Sequence, residues 1–213
     1  MSDSDRDDME HSGEDQLFDS LRINSQALLQ QFWANKVLSR ADLERHISKV
    51  NRRFSDQDNQ PLGDIRACLG TINRSIKFFG MEIVSIEMPD HIVYYGLINK
   101  EADEIAKQFG STLEDWELEV LKTVIEALGK KPDHQIVRGE VPDICAAKRD
   151  NEYNLWKNYT EQGAERLVDA LVAERWLLAS EDQLNLSLGP RSHMELKEYI
   201  EGHGVEGRQI IYY

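Results

Sequence analysis

With only two cysteines, Cys68 and Cys145, the 213-residue chain has neither a disulfide framework nor a cysteine-rich zinc site. Both thiols therefore read as reduced. Long apolar runs are missing too. Nothing approaches the roughly 18 consecutive apolar residues of a membrane span, and the N-terminus is polar and acidic where a signal peptide would be basic and then apolar. These features together predict an intracellular protein. Positive charge is scarce, with 25 Lys and Arg against 39 Asp and Glu for a net charge of −14, which weighs against nucleic-acid binding as the main task.

Chemistry-bearing constellations are equally thin. His11, His46, His91, His134, His193 and His203 are scattered, and none has a second metal-type ligand at helical spacing, so they read as surface or boundary residues. No serine, threonine or cysteine has a base partner at motif level. Asp56 and Asp58 hint at a calcium loop, but Pro61 stands where glycine is required and no glutamate closes twelve positions. Gly202, Gly204 and Gly207 fit the dinucleotide fingerprint, yet they follow a predicted helix instead of a strand and read as linker. No catalytic, cofactor-binding or metal residue is assigned.

What the chain does have is a 40% hydrophobic content arranged with period. Residues 1–19 carry eight acids against Arg6 alone, half the net charge, and residues 1–15 read as a disordered acidic tail. Three amphipathic helices follow. The first carries Leu28, Leu29, Phe32 and Trp33; the second carries Leu43, Ile47, Val50 and Phe54, with Ser39 as N-cap; the third carries Ile65, Leu69, Ile72, Ile76 and Phe79 and ends at Gly80. Met81–Met88 and Ile92–Asn99, split by Pro89, Asp90 and His91, form a hairpin pattern. Three helices and a hairpin are the winged-helix plan.

The plan repeats more loosely. Ser111 or Thr112 caps a helix bearing Leu113, Trp116, Val120, Val124 and Leu128. Residues 129–159 are hard to read, with Pro132 and Pro142 breaking any long element and a short strand near Gln135 to Val137. A helix over Ala164, Leu167, Val168, Leu171 and Val172 leads to Trp176–Leu178, the turn Ser180–Gln183, and Leu184, Leu186 and Leu188 in alternation. Gly189-Pro190 opens a final helix through Met194, Leu196, Tyr199 and Ile200. The fold class is mainly α with small β wings, an α+β chain of two tandem winged-helix domains at 16–100 and 112–201. A linker at 101–111 joins them, and a second linker runs over 202–213.

The motifs Phe79-Gly80-Met81-Glu82-Ile83, Tyr94-Tyr95-Gly96-Leu97-Ile98-Asn99 and Asp103-Glu104-Ile105-Ala106 fall at the first wing. Glu174-Arg175-Trp176-Leu177, Leu186-Ser187-Leu188-Gly189-Pro190-Arg191 and Glu195-Leu196 fall at the second. In this order and spacing they resemble the first non-SMC element subunit of the Smc five-six complex, of the kleisin-interacting tandem winged-helix (KITE) group, over about Leu17 to Tyr199. The resemblance implies a nuclear, non-enzymatic interaction subunit that pairs with a MAGE-type tandem winged-helix protein and docks on the kleisin, in DNA repair and recombination. It also implies a variant RING domain after the second wing, holding zinc and supporting ubiquitin transfer. The chain shows no paired cysteines after Tyr199, so zinc and any ligase activity are expected only in a RING-like domain absent from these residues. The segment 202–213 then reads as a linker towards that domain. No membrane and no small molecule are implied.

Two surfaces stand out. Residues 36–78 hold nine Lys and Arg against five acids, an island of +4 in an acidic chain. Arg45, Lys49 and Arg52 share a face of the second helix, and Arg74 and Lys77 are neighbours on the third, so these five are the candidate DNA contacts of an alternative reading, a winged-helix DNA-binding regulator. A solvated face, or one paired with an acidic partner, explains them as well. The strands bearing Ile92, Tyr94, Tyr95 and Leu97 are apolar on both faces, which makes those four the candidate partner interface unless the linking segment covers the surplus. Cys68, beside the third helix's stripe, reads as core.

Overall fold

The computed structural model describes residues 21–54, 60–100, 113–149, 156 and 158–213. The acidic tail, the Asp56 and Asp58 loop and the linker at 101–111 lie outside them. Helix α1 (Ile23–Asn35) buries Leu28 and Phe32 completely. Trp33, one residue and a 100° turn beyond Phe32, is half exposed. A strand the periodicity does not reveal, β1 (Val37–Ser39), follows directly. Ser39 then caps α2 (Arg40–Arg53), its hydroxyl accepting from the Asp42 N–H, and α2 buries Leu43, Ile47 and Val50. Helix α3 (Ile65–Ile76), capped by Asp64, buries Cys68, Leu69, Ile72 and Ile76. It tightens into a 3-10 turn at Lys77–Phe79 before Gly80 closes it at φ 67°. Three residues per turn carry Phe79 off the apolar stripe where its spacing placed it, and both Phe78 and Phe79 are exposed.

Strands β2 (Met81–Glu87) and β3 (Val93–Asn99) form the antiparallel hairpin, and β1 pairs with the far edge of β3. Asn73 ties helix to sheet: its amide donates to the Ile83 carbonyl and accepts from the Ile83 N–H, both at 2.8 Å. A buried amide satisfied on both sides fixes register as well as contact.

The second unit runs α4 (Asp115–Lys130), β4 (Ile136–Val137), α5 (Val141–Arg149), α6 (Glu161–Ala173), β5 (Leu177–Ala179) and β6 (Asn185–Leu188). Its order of helix, strand, two helices and two strands repeats the first unit's. The sheet orders β1-β3-β2 and β4-β6-β5 are the same as well. The cap of α4 is Glu114, whose N–H donates to the Glu117 carboxylate at 2.8 Å; Ser111 and Thr112 lie outside the described residues. Pro142 does not break the chain as its type suggests. It sits in the first turn of α5, where a missing N–H removes no helix bond, so a helix forms in a stretch that reads as broken. Trp156, Tyr159 and the fully buried Cys145 complete this core, and burial pushes the Cys145 thiol up to about 12.

The helix opened by Pro190 breaks at Leu196, whose φ of −118° and ψ of 27° separate α7 (Pro190–Glu195) from α8 (Lys197–Gly202). Helix α7 is buried from Pro190 to Met194 because it stands between the units. Met194 packs with Val84, Ile86, Tyr94 and Ile98 of the first sheet and with Leu178 of the second. Gly96 makes room for it: a Cβ there would lie 2.4 Å from the Met194 sulfur. Arg191, only 6% exposed, bonds Glu174 at 2.9 Å and Glu195 at 2.8 Å, with its guanidinium 4.1 Å from the Trp176 ring centroid. Gly189 leaves room for the chain opposite, since a Cβ there would come within 2.2 Å of the Arg175 carbonyl oxygen.

Residues 202–213, read from sequence as linker, are built into the fold, Gly202 as the end of α8. Val205 is buried in the second core, and β7 (Ile210–Tyr212) adds to the first sheet beside β2, giving the order β1-β3-β2-β7. The Tyr213 hydroxyl meets Ser85 Oγ at 2.6 Å. Val84 lies opposite Tyr212, a pairing between segments so far apart in sequence that no local pattern announces it. His193, scattered and unremarkable by spacing, is 4% exposed on α7, with Nδ1 unpartnered among the described residues.

Two stability predictions follow from α7. Arg191→Ala removes the cation and strands two carboxylates, and urea unfolding should register a loss on the order of 3 kcal/mol, with Arg191→Lys intermediate because it keeps charge but not the planar fork. An Arg191→Ala protein as stable as the parent contradicts the assigned role. Burial first, and then the Arg208 cation, hold the His193 imidazole down at about 4. In the unfolded chain it protonates near 6.5, so between those values the unfolded state binds the extra proton and stability falls as pH drops through that window. The difference is on the order of 3 kcal/mol. His193→Gln should flatten this part of the pH–stability curve; parallel curves for variant and parent would exclude the effect.

Candidate interaction surfaces

Position on α2 and α3 decides what the basic residues can reach. Arg45, Lys49 and Arg52 are exposed along α2, and Arg74 and Lys77 are exposed at the end of α3 and in its 3-10 turn. Arg45 is already engaged with Asp42 at 2.9 Å, and Arg74 donates to the Thr71 hydroxyl at 3.1 Å. Lys49 and Arg52 make no ion pair among the described residues. Exposed cations on a helix face are the kind of group that contacts phosphate. The first wing adds nothing cationic, since its tip is Pro89-Asp90-His91 and His91 Nδ1 lies 3.0 Å from Glu87.

The four apolar wing residues divide. Ile92 is 42% exposed in the turn before β3. Tyr94, Tyr95 and Leu97 are instead buried, which corrects their reading as a partner interface. Tyr95 and Leu97 face the helices of the first core, while Tyr94 faces Met194 across the seam between the units. The sheet is apolar on both faces because this chain itself covers both, through α1–α3 on one side and α7 on the other. Burial and the neighbouring Tyr213 raise the Tyr95 phenol to about 12, as expected of a group kept neutral inside.

Other surfaces were not singled out by spacing. A cleft of about 460 Å³ is lined by Trp33, Lys36, Lys100, Arg191 and Tyr212. Lys36 lies 5.5 Å from the Trp33 ring centroid and Lys100 5.0 Å from that of Tyr212. Trp33 could have been suspected, because it cannot share the Leu28 and Phe32 stripe. A wider cleft of about 1110 Å³ opens between the first wing's turn, β5 and β6, and the segment 205–209, with His193 in its wall. Phe78 and Phe79 form an exposed edge-to-face pair at 5.6 Å. For metal, no group of three potential ligands gathers among the described residues, and the two cysteines are buried in different cores. The donors described do not fit a zinc site.

A family model described as "Nse1 non-SMC component of SMC5-6 complex" matches residues 25–196, a span that includes both winged units and α7. Among solved structures, a chain of the "Nse1-Nse3-Nse4 complex" superposes with a TM-score of 0.66 at 18% identity, covering 86% of this chain and 75% of that one. No curated protein matches. The structural likeness carries the fold, and the family match, running through most of the chain, carries the kinship: the chain belongs to the Nse1 family of non-SMC components of the SMC5-6 complex.

Proposed function

We propose that this chain is an interaction subunit of the SMC5-6 complex that binds a MAGE-type winged-helix partner and the kleisin, the counterparts of Nse3 and Nse4 in the solved complex it resembles. The observation that carries this is the family match spanning both winged units. It is supported by an architecture that uses apolar wing residues to join its own two units and leaves aromatic and charged clefts on the outside. In this reading the protein works in the nucleus, in DNA repair and recombination. In the same reading, zinc and any ubiquitin-transfer activity would belong to a RING-like domain of the kind the family resemblance implies. On a sizing column the chain and a MAGE-type partner should elute together at micromolar concentration. Persistent separate elution overturns the reading.

The exposed basic residues favour one accessory role, weak contact with duplex DNA through α2 and α3. Replacing Arg45, Lys49 and Arg52 with glutamate should abolish that binding and its steep salt dependence. Unchanged affinity in the triple variant removes the site.

A further inference from the structure

We infer that the cleft between the first wing and the second sheet docks an extended, lysine- or arginine-bearing segment of a partner polypeptide, an inference that rests on the interaction-subunit reading and assigns it a place. Size is the first argument. At about 1110 Å³ the cleft exceeds the ~300–1,000 Å³ usual for small-molecule pockets, and it runs along strands instead of closing over a single point.

Charge is the second. Glu87, Asp90, Asp133, Glu181 and Glu206 line it and are exposed, while Arg208 is the one Lys or Arg among the lining residues. Glu87 is engaged by His91, and among the described residues Asp90, Asp133, Glu181 and Glu206 make no ion pair, so the rim stays acidic. Nucleic acid and acidic peptides are repelled by such a rim; a basic segment is drawn to it.

The third argument comes from the wall. His193 is 96% buried, from a 4% exposure, and its Nδ1 has no hydrogen-bond partner among the described residues; Arg208 Nε is likewise buried and unpartnered. A buried polar atom left without a partner costs free energy that a bound group can restore. Both residues line the cleft, and because the two atoms are closed to solvent, a main-chain carbonyl or N–H meets them only where their side chains shift on docking. Strand β5, an edge of its three-stranded sheet, also lines the cleft and favours an extended guest. Basic side chains would then bind the acidic rim with the guest backbone lying along β5, and the exposed Ile92 supplies apolar contact.

The test is fluorescence anisotropy of the full chain with two labelled peptides of equal length, one alternating lysine with valine and one alternating glutamate with valine. The lysine peptide should bind and the glutamate peptide should not. E181K/E206K should weaken binding about tenfold or more. E161K/E165K on α6, exposed and outside the cleft, changes net charge equally and should bind as the parent does. Equal loss in both double variants, or binding of the glutamate peptide, overturns the inference. Co-elution with a MAGE-type partner is scored separately. A chain that co-elutes but ignores the lysine peptide sinks the cleft alone, and one that binds the peptide but no partner sinks the functional reading alone.

Discussion

Arg191 places a full positive charge where water barely reaches, and the fold depends on the three groups that make this tolerable. Glu174 closes the second unit's third helix, Glu195 ends the helix carrying Arg191, and Trp176 begins the second wing. A buried cation without partners would cost several kcal/mol, so the guanidinium has one low-energy position and α7 has one orientation. That orientation sets Met194 over Gly96 and closes the seam between the sheets. The tail from Val205 to Tyr212 crosses the same seam from the other end, starting in the second core and finishing as a strand of the first sheet. Two similar units thereby become one body.

This joining explains how charge and apolar surface are distributed. The apolar wing face that could have met a partner is used internally, and two of the surfaces left outside differ in sign. Cations collect on α2 and α3, while acids collect around the cleft between the first wing and β5–β6. A chain with this division can present different faces to different partners without one attracting the other's ligand. The buried His193 sits at the junction of the two themes, on the helix that joins the units and in the wall of the acidic cleft.

Much of this was legible from residue types alone. Periodicity placed α1, α2, α3, α4 and α6, the Ser39 cap, the first hairpin and the second wing, because each is stabilised by contacts within a few turns of itself. The α+β class and the family followed from the same wings. What stayed hidden depends on partners distant in sequence. Strands β1 and β7 are three residues long, too short for a pattern, and exist through pairing with β3 and β2. Helix α5 hides behind Pro142, whose position in the helix matters more than its type. Tyr94 reads as surplus apolar surface until Met194 is placed against it, and His193 reads as a surface or boundary residue until α7 is seen to stand between two sheets. The motif residues Glu174, Trp176, Gly189, Arg191 and Glu195 pointed to the family from their spacing; their meeting at one point supplies the physical reason for it.

The claim that α7 and β7 weld two winged units into one body is tested most directly by native-state hydrogen exchange on the free chain. The amides of residues 189–196 and 210–212 should exchange with the same protection as those of β2 and β3, as members of one cooperative unit. Exchange of those segments at the rate of an unstructured peptide, while β2 and β3 remain protected, would contradict it.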